Sequence, residues 1–290
     1  MPFPLNLLPY GLRRRLRELA SPTEIHALQI AAPHFQYIQP IQKCRRINRV
    51  AFCDVNQSQF SITDDDVRPQ LHLSPELPLT DNCYYINEAV RMDSIELTAD
   101  PQLFLDHFRM APTSMTFCQC YFNNTFFQRF ASRIVRPVNS LFILDVRIQS
   151  ESAEKYAWPA FNSLTKLYFV ESEYPHTMSF QIWMEALLQL NCTTLESVNV
   201  RFSSISTFKV DKDMFVTFVK AQHCKIHLAF YIHEVEDHEI QEYENKQSVL
   251  FDEEHFVHVP EIQTPDVKRK FFSVFANKKE HYHRYVLRNN

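Results

Sequence analysis

The sequence predicts an α/β protein in which a small N-terminal helical unit precedes an irregular solenoid of strand/helix repeats. Three observations predict it. Apolar residues recur at helical spacing within residues 1–43. Beyond Asp93, short alternating strands take turns with amphipathic helices. The strand starts then return at similar intervals. At 290 residues and 45% apolar side chains, the chain can bury one large core with a small appendage.

Residues 1–43 read as the helical unit. Leu12, Leu16 and Leu19 fall on one helical face, and Arg13, Arg14, Arg15 and Arg17 take the others. Ser21-Pro22-Thr23-Glu24 specifies a second helix start, with Ser21 as N-cap, Pro22 in the first turn and Glu24 closing a capping box. Ile25, Leu28, Ala32 and Phe35 form its apolar stripe. Pro33 ends it near Ala32 and leaves a short third segment around His34–Gln39.

Residues 44–92 read as a linker or irregular region: "RINRVAFCDV" looks like a strand, Asp64, Asp65 and Asp66 like loop, and "NCYYINEAV" fits either state. Residues 93–233 carry the repeats. "DSIELTA", "SMTFCQCYF", "SLFILDVRI", "SLTKLYFVES", "TLESVNVRFSSI" and "KIHLAFYI" read as strands. "DPQLFLDHFRM", "NNTFFQRFASRIV", "SFQIWMEALLQL" and "DKDMFVTFVKA" read as helices. Strand starts near Ser94, Ser114, Ser140, Ser163, Thr194 and Lys225 give steps of about 20 to 31 residues, the range of leucine-rich-type units. "LTKLYFVES" and "LESVNVRFSS" are the closest copies. An α/β domain of alternating elements without true repeats is the competing architecture. Residues 234–290 read as an acidic loop followed by a basic tail, both solvated.

Composition narrows the function. A net charge of -4 argues against a dedicated nucleic-acid binder, and no apolar run is long enough to span a bilayer. Pro2, Pro4 and Pro9 interrupt what would be a signal peptide, so the sequons at Asn56, Asn123 and Asn191 are expected to stay unglycosylated. Seven cysteines fit free thiols in a reducing compartment, which predicts a cytoplasmic or nuclear protein. The chain has a single glycine, Gly11, where average usage predicts about twenty. Phosphate loops, dinucleotide fingerprints and nucleophile elbows all depend on glycine, so these sites are not expected.

Candidate chemistry is sparse. Cys118 and Cys120, two apart on a predicted strand, share a face and could share a metal, but no second ligand pair follows; buried structural thiols are expected. His233 and His238 in "HEVEDH" are five apart, about 140° around a helix, and fail as a zinc pair. His281 and His283 form an isolated pair, and Asp64–Asp66 lacks patterned oxygen ligands. No catalytic residue, cofactor or metal is expected, and the chain is not read as an enzyme.

Leu8-Pro9, a short helix, Ser21-Pro22, an apolar second helix and the "PFPL…LPY" opening together resemble an F-box, in the divergent form that begins many nematode proteins. The resemblance covers about the first forty residues. It implies a non-catalytic substrate-recognition subunit of a Skp-cullin-F-box (cullin-RING) ubiquitin ligase. The F-box would dock on a Skp-type adaptor, and through it on a cullin, while the C-terminal domain binds a protein substrate. Carried over by position, Leu8, Pro9, Leu12, Leu16, Pro22, Ile25 and Leu28 form the adaptor-docking surface. Two readings compete: a leucine-rich-repeat-like scaffold whose hairpin only caps its own core, and a metal-dependent enzyme.

Overall fold

The structure, a computed structural model, describes residues 7–35, 38–54, 60–64, 83–95, 105–148, 153–171, 179–223, 226–259, 270–276 and 281–288. It is mixed α/β, with one large, mostly parallel sheet and six α-helices among the described residues. The helices are α1 (Tyr10–Leu19), α2 (Pro22–Ala31), α3 (Asn124–Ser132), α4 (Phe180–Gln189), α5 (Lys212–Ala221) and α6 (Ile240–Leu250). The strands are β1 (Cys44–Asp54), β2 (Phe60–Asp64), β3 (Cys83–Asp93), β4 (Phe108–Met110), β5 (Ser114–Cys118), β6 (Tyr121–Phe122), β7 (Ser140–Leu144), β8 (Arg147–Ile148), β9 (Lys166–Glu171), β10 (Ser197–Ser204), β11 (His227–Glu234), β12 (Phe256–His258), β13 (Phe271–Ala276) and β14 (His281–Leu287).

The large sheet runs β12-β14-β13-β11-β10-β9-β7-β5-β3-β1-β2, with β4 beside β3. From β1 to β13 the strands lie side by side in chain order and are parallel; β2 at one edge and β14 and β12 at the other are antiparallel. Strand alternation assigns the two faces. One face buries Met115 and Phe117, Leu141 and Ile143, Leu167 and Phe169, Val198 and Val200, and Leu228 and Phe230, each set in register with the next. Helices pack on this face through aromatic side chains. Phe130 of α3 meets Phe117, Phe180 of α4 meets Phe169 and Phe230, and Phe215 of α5 meets Phe230 and Phe272. The starts of these helices are encoded locally: Asn123, Ser179 and Asp211 each accept a backbone N–H of the first turn.

Successive units end in the same turn. Ser94, Gln119 and Asp145 follow β3, β5 and β7 with φ of 52°, 50° and 51°, and each is followed by a buried residue, Ile95, Cys120 or Val146. The turns are stitched together: Ser94 N–H donates to Cys118 O at 2.9 Å and Gln119 N–H to Leu144 O at 2.8 Å. Scarcity of glycine therefore does not keep left-handed backbone out of this chain; polar side chains occupy it instead, at a cost of about 1–3 kcal/mol each. Asn191, φ 52°, closes α4 in the same way.

Several elements differ from expectation. Residues 44–92, expected to be a linker or irregular, hold β1, where "RINRVAFCDV" reads as a strand, and β3, where "NCYYINEAV" fits either state; both are eleven-residue strands of the large sheet. Their alternation is hidden because β3 also places Glu88 and Arg91 among its apolar residues. Of "DSIELTA", expected as a strand, only Asp93 belongs to β3; Ser94 turns the chain, and the residues after Ile95 lie outside the described ones. Of "DPQLFLDHFRM", expected as a helix, Leu105 is helical while Phe108 and Met110 alternate with Arg109 as β4; residues 100–104 lie outside the described ones. Cys118 and Cys120 do not share a face, since the turn at Gln119 leaves Cys118 half-buried and Cys120 buried. None of the six described cysteines is in a disulfide. The acidic stretch forms α6, which buries Tyr243, Gln247 and Leu250, and the basic tail supplies β13 and β14. Asp65, Asp66 and the His281 side chain lie outside the described residues, as do Gln36 and Tyr37 of the segment around His34–Gln39.

Candidate functional site

Two surfaces stand out: a groove on the N-terminal hairpin and the helix-free face of the sheet. The hairpin is tightly specified at its turn. Ser21 N–H donates to Glu24 Oε2 at 2.8 Å, and Glu24 N–H returns to Ser21 Oγ at 3.4 Å, completing the expected capping box. Helix α2 ends at Ala31, directly before Pro33. The core of the hairpin is Ile25, Phe35 and Ile38, with Ala20, Leu28 and Ala32 packed against it. Helix α1 has no buried residue.

Between the two helices lies an open groove of about 600 Å³, lined by Leu16, Leu19, Ala20, Glu24, Ala27, Leu28 and Ala31. Of the residues expected at the docking surface, Leu16 and Leu28 come together in this groove. Ile25 points inward and is 8% exposed. Pro22 is half-buried at the start of α2, and Leu8 and Pro9 lead into α1, where Leu12 is 51% exposed outside the groove. Sequence reading missed Ala27 and Ala31. They sit four apart on α2 and are small enough to leave a channel, but alanine alone gives little signal.

The arginines serve the hairpin rather than fill the groove. Arg17 donates to the carbonyls of Ile38 and Pro40, Arg13 to Leu8 O, and Arg14 pairs with Glu18 at 2.9 Å. Attachment to the body is polar. Thr23 Oγ1 donates to Asp106 O at 2.9 Å, Arg133 donates to Thr23 Oγ1 at 3.3 Å, and Arg133 also pairs with Asp106.

The second surface is the opposite face of the sheet. Its rows run across the strands in register, for example Cys118, Leu144, Val170, Arg201, Tyr231, Phe275 and Tyr282. Tyr231 stacks on Phe275 at 4.7 Å and 4°, and Phe275 on Tyr282 at 4.6 Å and 22°. The Arg201 guanidinium lies 5.2 Å from the Tyr168 ring centroid and 5.6 Å from that of Tyr231. Arg284 lies over Phe271 and Tyr282. Burial raises the Tyr168 phenol, and Arg201 partly opposes this. Burial and the charge of Arg284 hold His227 below its ordinary value.

Groups that could do chemistry are already committed. Asp252, Glu254 and His255 converge closely enough to hold a cation, but Lys212 is already ion-paired with Asp252, and His255 Nδ1 lies 3.0 Å from it. Against the cost of desolvation, Lys212 and His255 hold the Asp252 carboxyl down to about 2. Glu171, at the end of β9, is buried under α4 and accepts the Phe180 N–H at 2.9 Å; burial raises its carboxyl to about 7. No described helix is long and apolar enough to cross a membrane. Compared with protein-family models, curated proteins and solved structures, the chain matches none.

Proposed function

We propose that this chain is a non-catalytic recognition subunit with two contact surfaces. The hairpin docks on a Skp-type adaptor of a cullin-RING ubiquitin ligase, and the sheet body, read as an irregular leucine-rich-repeat-like solenoid, presents a protein substrate. One observation carries this reading: α1 buries nothing, and α1 and α2 hold an apolar groove open. Covering one Leu side chain there contributes roughly 1.5–3 kcal/mol, so a few suffice as anchors. The chain-ordered parallel strands and the repeated turn at Ser94, Gln119 and Asp145 support the solenoid reading of the body.

The polar link of Thr23 to Asp106 and Arg133 favours a second reading, in which the hairpin only caps the body. Co-elution separates the two. On the docking reading, the purified chain co-elutes with a Skp-type adaptor, and Leu16→Asp abolishes this without altering the thermal midpoint of the body. Failure of the unaltered chain to co-elute leaves the capping reading.

A further inference from the structure

We propose that the helix-free face of β9, β10, β11, β13 and β14 binds an acidic, carboxylate-rich segment of a partner protein, with Arg201 as the central contact. This deepens the reading of the body as the substrate-presenting part and rests on it.

Charge is the first argument. In a chain of net charge -4, the described residues of this face include Lys166, Arg201, His227 and Arg284 and no carboxylate. Elsewhere on the sheet two arginines are ion-paired, Arg91 with Asp93 at 2.5 Å and Arg49 with Glu88 at 3.1 Å. Arg201 has no carboxylate in ion-pair range among the described residues. Its guanidinium is held in place between Tyr168 and Tyr231, so binding an anion costs little side-chain ordering.

Ring orientation is the second argument and decides the class of partner. Single-stranded nucleic acid binds sheets by stacking bases on free aromatic faces. Here the faces of Tyr231, Phe275 and Tyr282 are spent on one another, and those of Tyr168 and Tyr231 also carry Arg201. Ring edges remain, and these are the positive rim of the aromatic quadrupole. Edges, phenol hydroxyls and a positioned guanidinium suit carboxylates better than nucleobases.

Fluorescence polarisation on the full chain tests this with a labelled peptide of alternating glutamate and valine. The expected result is saturable binding that weakens with salt and is absent for the glutamine-for-glutamate peptide. Arg201→Gln weakens it by at least about tenfold, Arg201→Lys restores part of it, and Arg136→Gln, an exposed arginine outside this face, leaves it unchanged. Thermal midpoints of all variants confirm folding. Equal binding of the two peptides, no effect of Arg201→Gln, or tighter binding of oligouridylate RNA overturns the proposal. The Leu16→Asp chain keeps peptide binding and Arg201→Gln keeps adaptor co-elution, so failure of either surface is read separately.

Discussion

The hairpin and the sheet body treat apolar side chains in opposite ways. The body gathers its aromatic residues into one continuous core, in which Phe230 alone meets the rings of Phe180, Phe202, Phe208, Phe215 and Phe251. The hairpin buries Ile25, Phe35 and Ile38 and little else. Leu7, Tyr10, Leu12, Leu19, Ile30 and Ile41, in the hairpin or at its exit, remain more than half exposed. Isolated exposed apolar residues are ordinary on a protein surface; their concentration on one small unit is not. The difference teaches that the buried apolar surface is concentrated in the body, while the hairpin leaves most of its own exposed.

Five substitutions break or sharpen that contrast. Phe230→Ala removes a ring of β11 that meets Phe202 of β10, Phe180 of α4, Phe215 of α5 and the connecting Phe208 and Phe251, and costs about 3–5 kcal/mol in denaturant unfolding of the whole chain. Glu171 gives a pH signature of the body. Its carboxyl titrates at about 7 when folded against 4.5 when exposed. The resulting penalty is absent below about 4.5, grows as pH rises through the window, and is complete above 7. Stability therefore falls with rising pH by on the order of 3 kcal/mol, and Glu171→Gln flattens the profile. Ile25→Ala costs about 2 kcal/mol or more, but only locally: hydrogen exchange accelerates in α1 and α2 while the main unfolding midpoint stays. Ser21→Ala removes the capping box at about 1 kcal/mol, read by faster exchange at the start of α2. Gly11→Ala acts in the other direction. An added Cβ at Gly11 meets nothing within 4 Å, so the change stabilises α1 by about 0.5–1 kcal/mol and slows its exchange.

Helices with local start signals were legible in the sequence. Ser21 announces α2, and the apolar periodicity of "SFQIWMEALLQL" announces α4; the structure adds caps at Asn123, Ser179 and Asp211, each a matter of a few consecutive residues. Strands with clean alternation, such as "KLYFVE", were legible for the same reason. What failed needed distant partners. Phe108 and Met110 become a strand only because Tyr84 and Ile86 of β3 lie beside them, and nothing near them in sequence says so. The charged C-terminal stretch joins the sheet because β13 pairs with β11, His227 with Phe271 through Ile232 with Ala276, across a long connection. Of the hairpin surface, the leucines of α1 were visible as a stripe. The groove itself depends on Ala27 and Ala31, whose contribution is the space they leave. The aromatic face was invisible, because Tyr168, Arg201, Tyr231 and Phe275 meet only once four strands are in register.

Along the parallel run β1, β3, β5, β7, β9, β10, β11 and β13, each strand lies beside the one before and the one after it in that run. On the solenoid reading proposed above, such an array has no keystone: ordering can begin at any unit and spread both ways. On the same reading, tension applied at its two ends draws the body out unit by unit rather than in a single rupture.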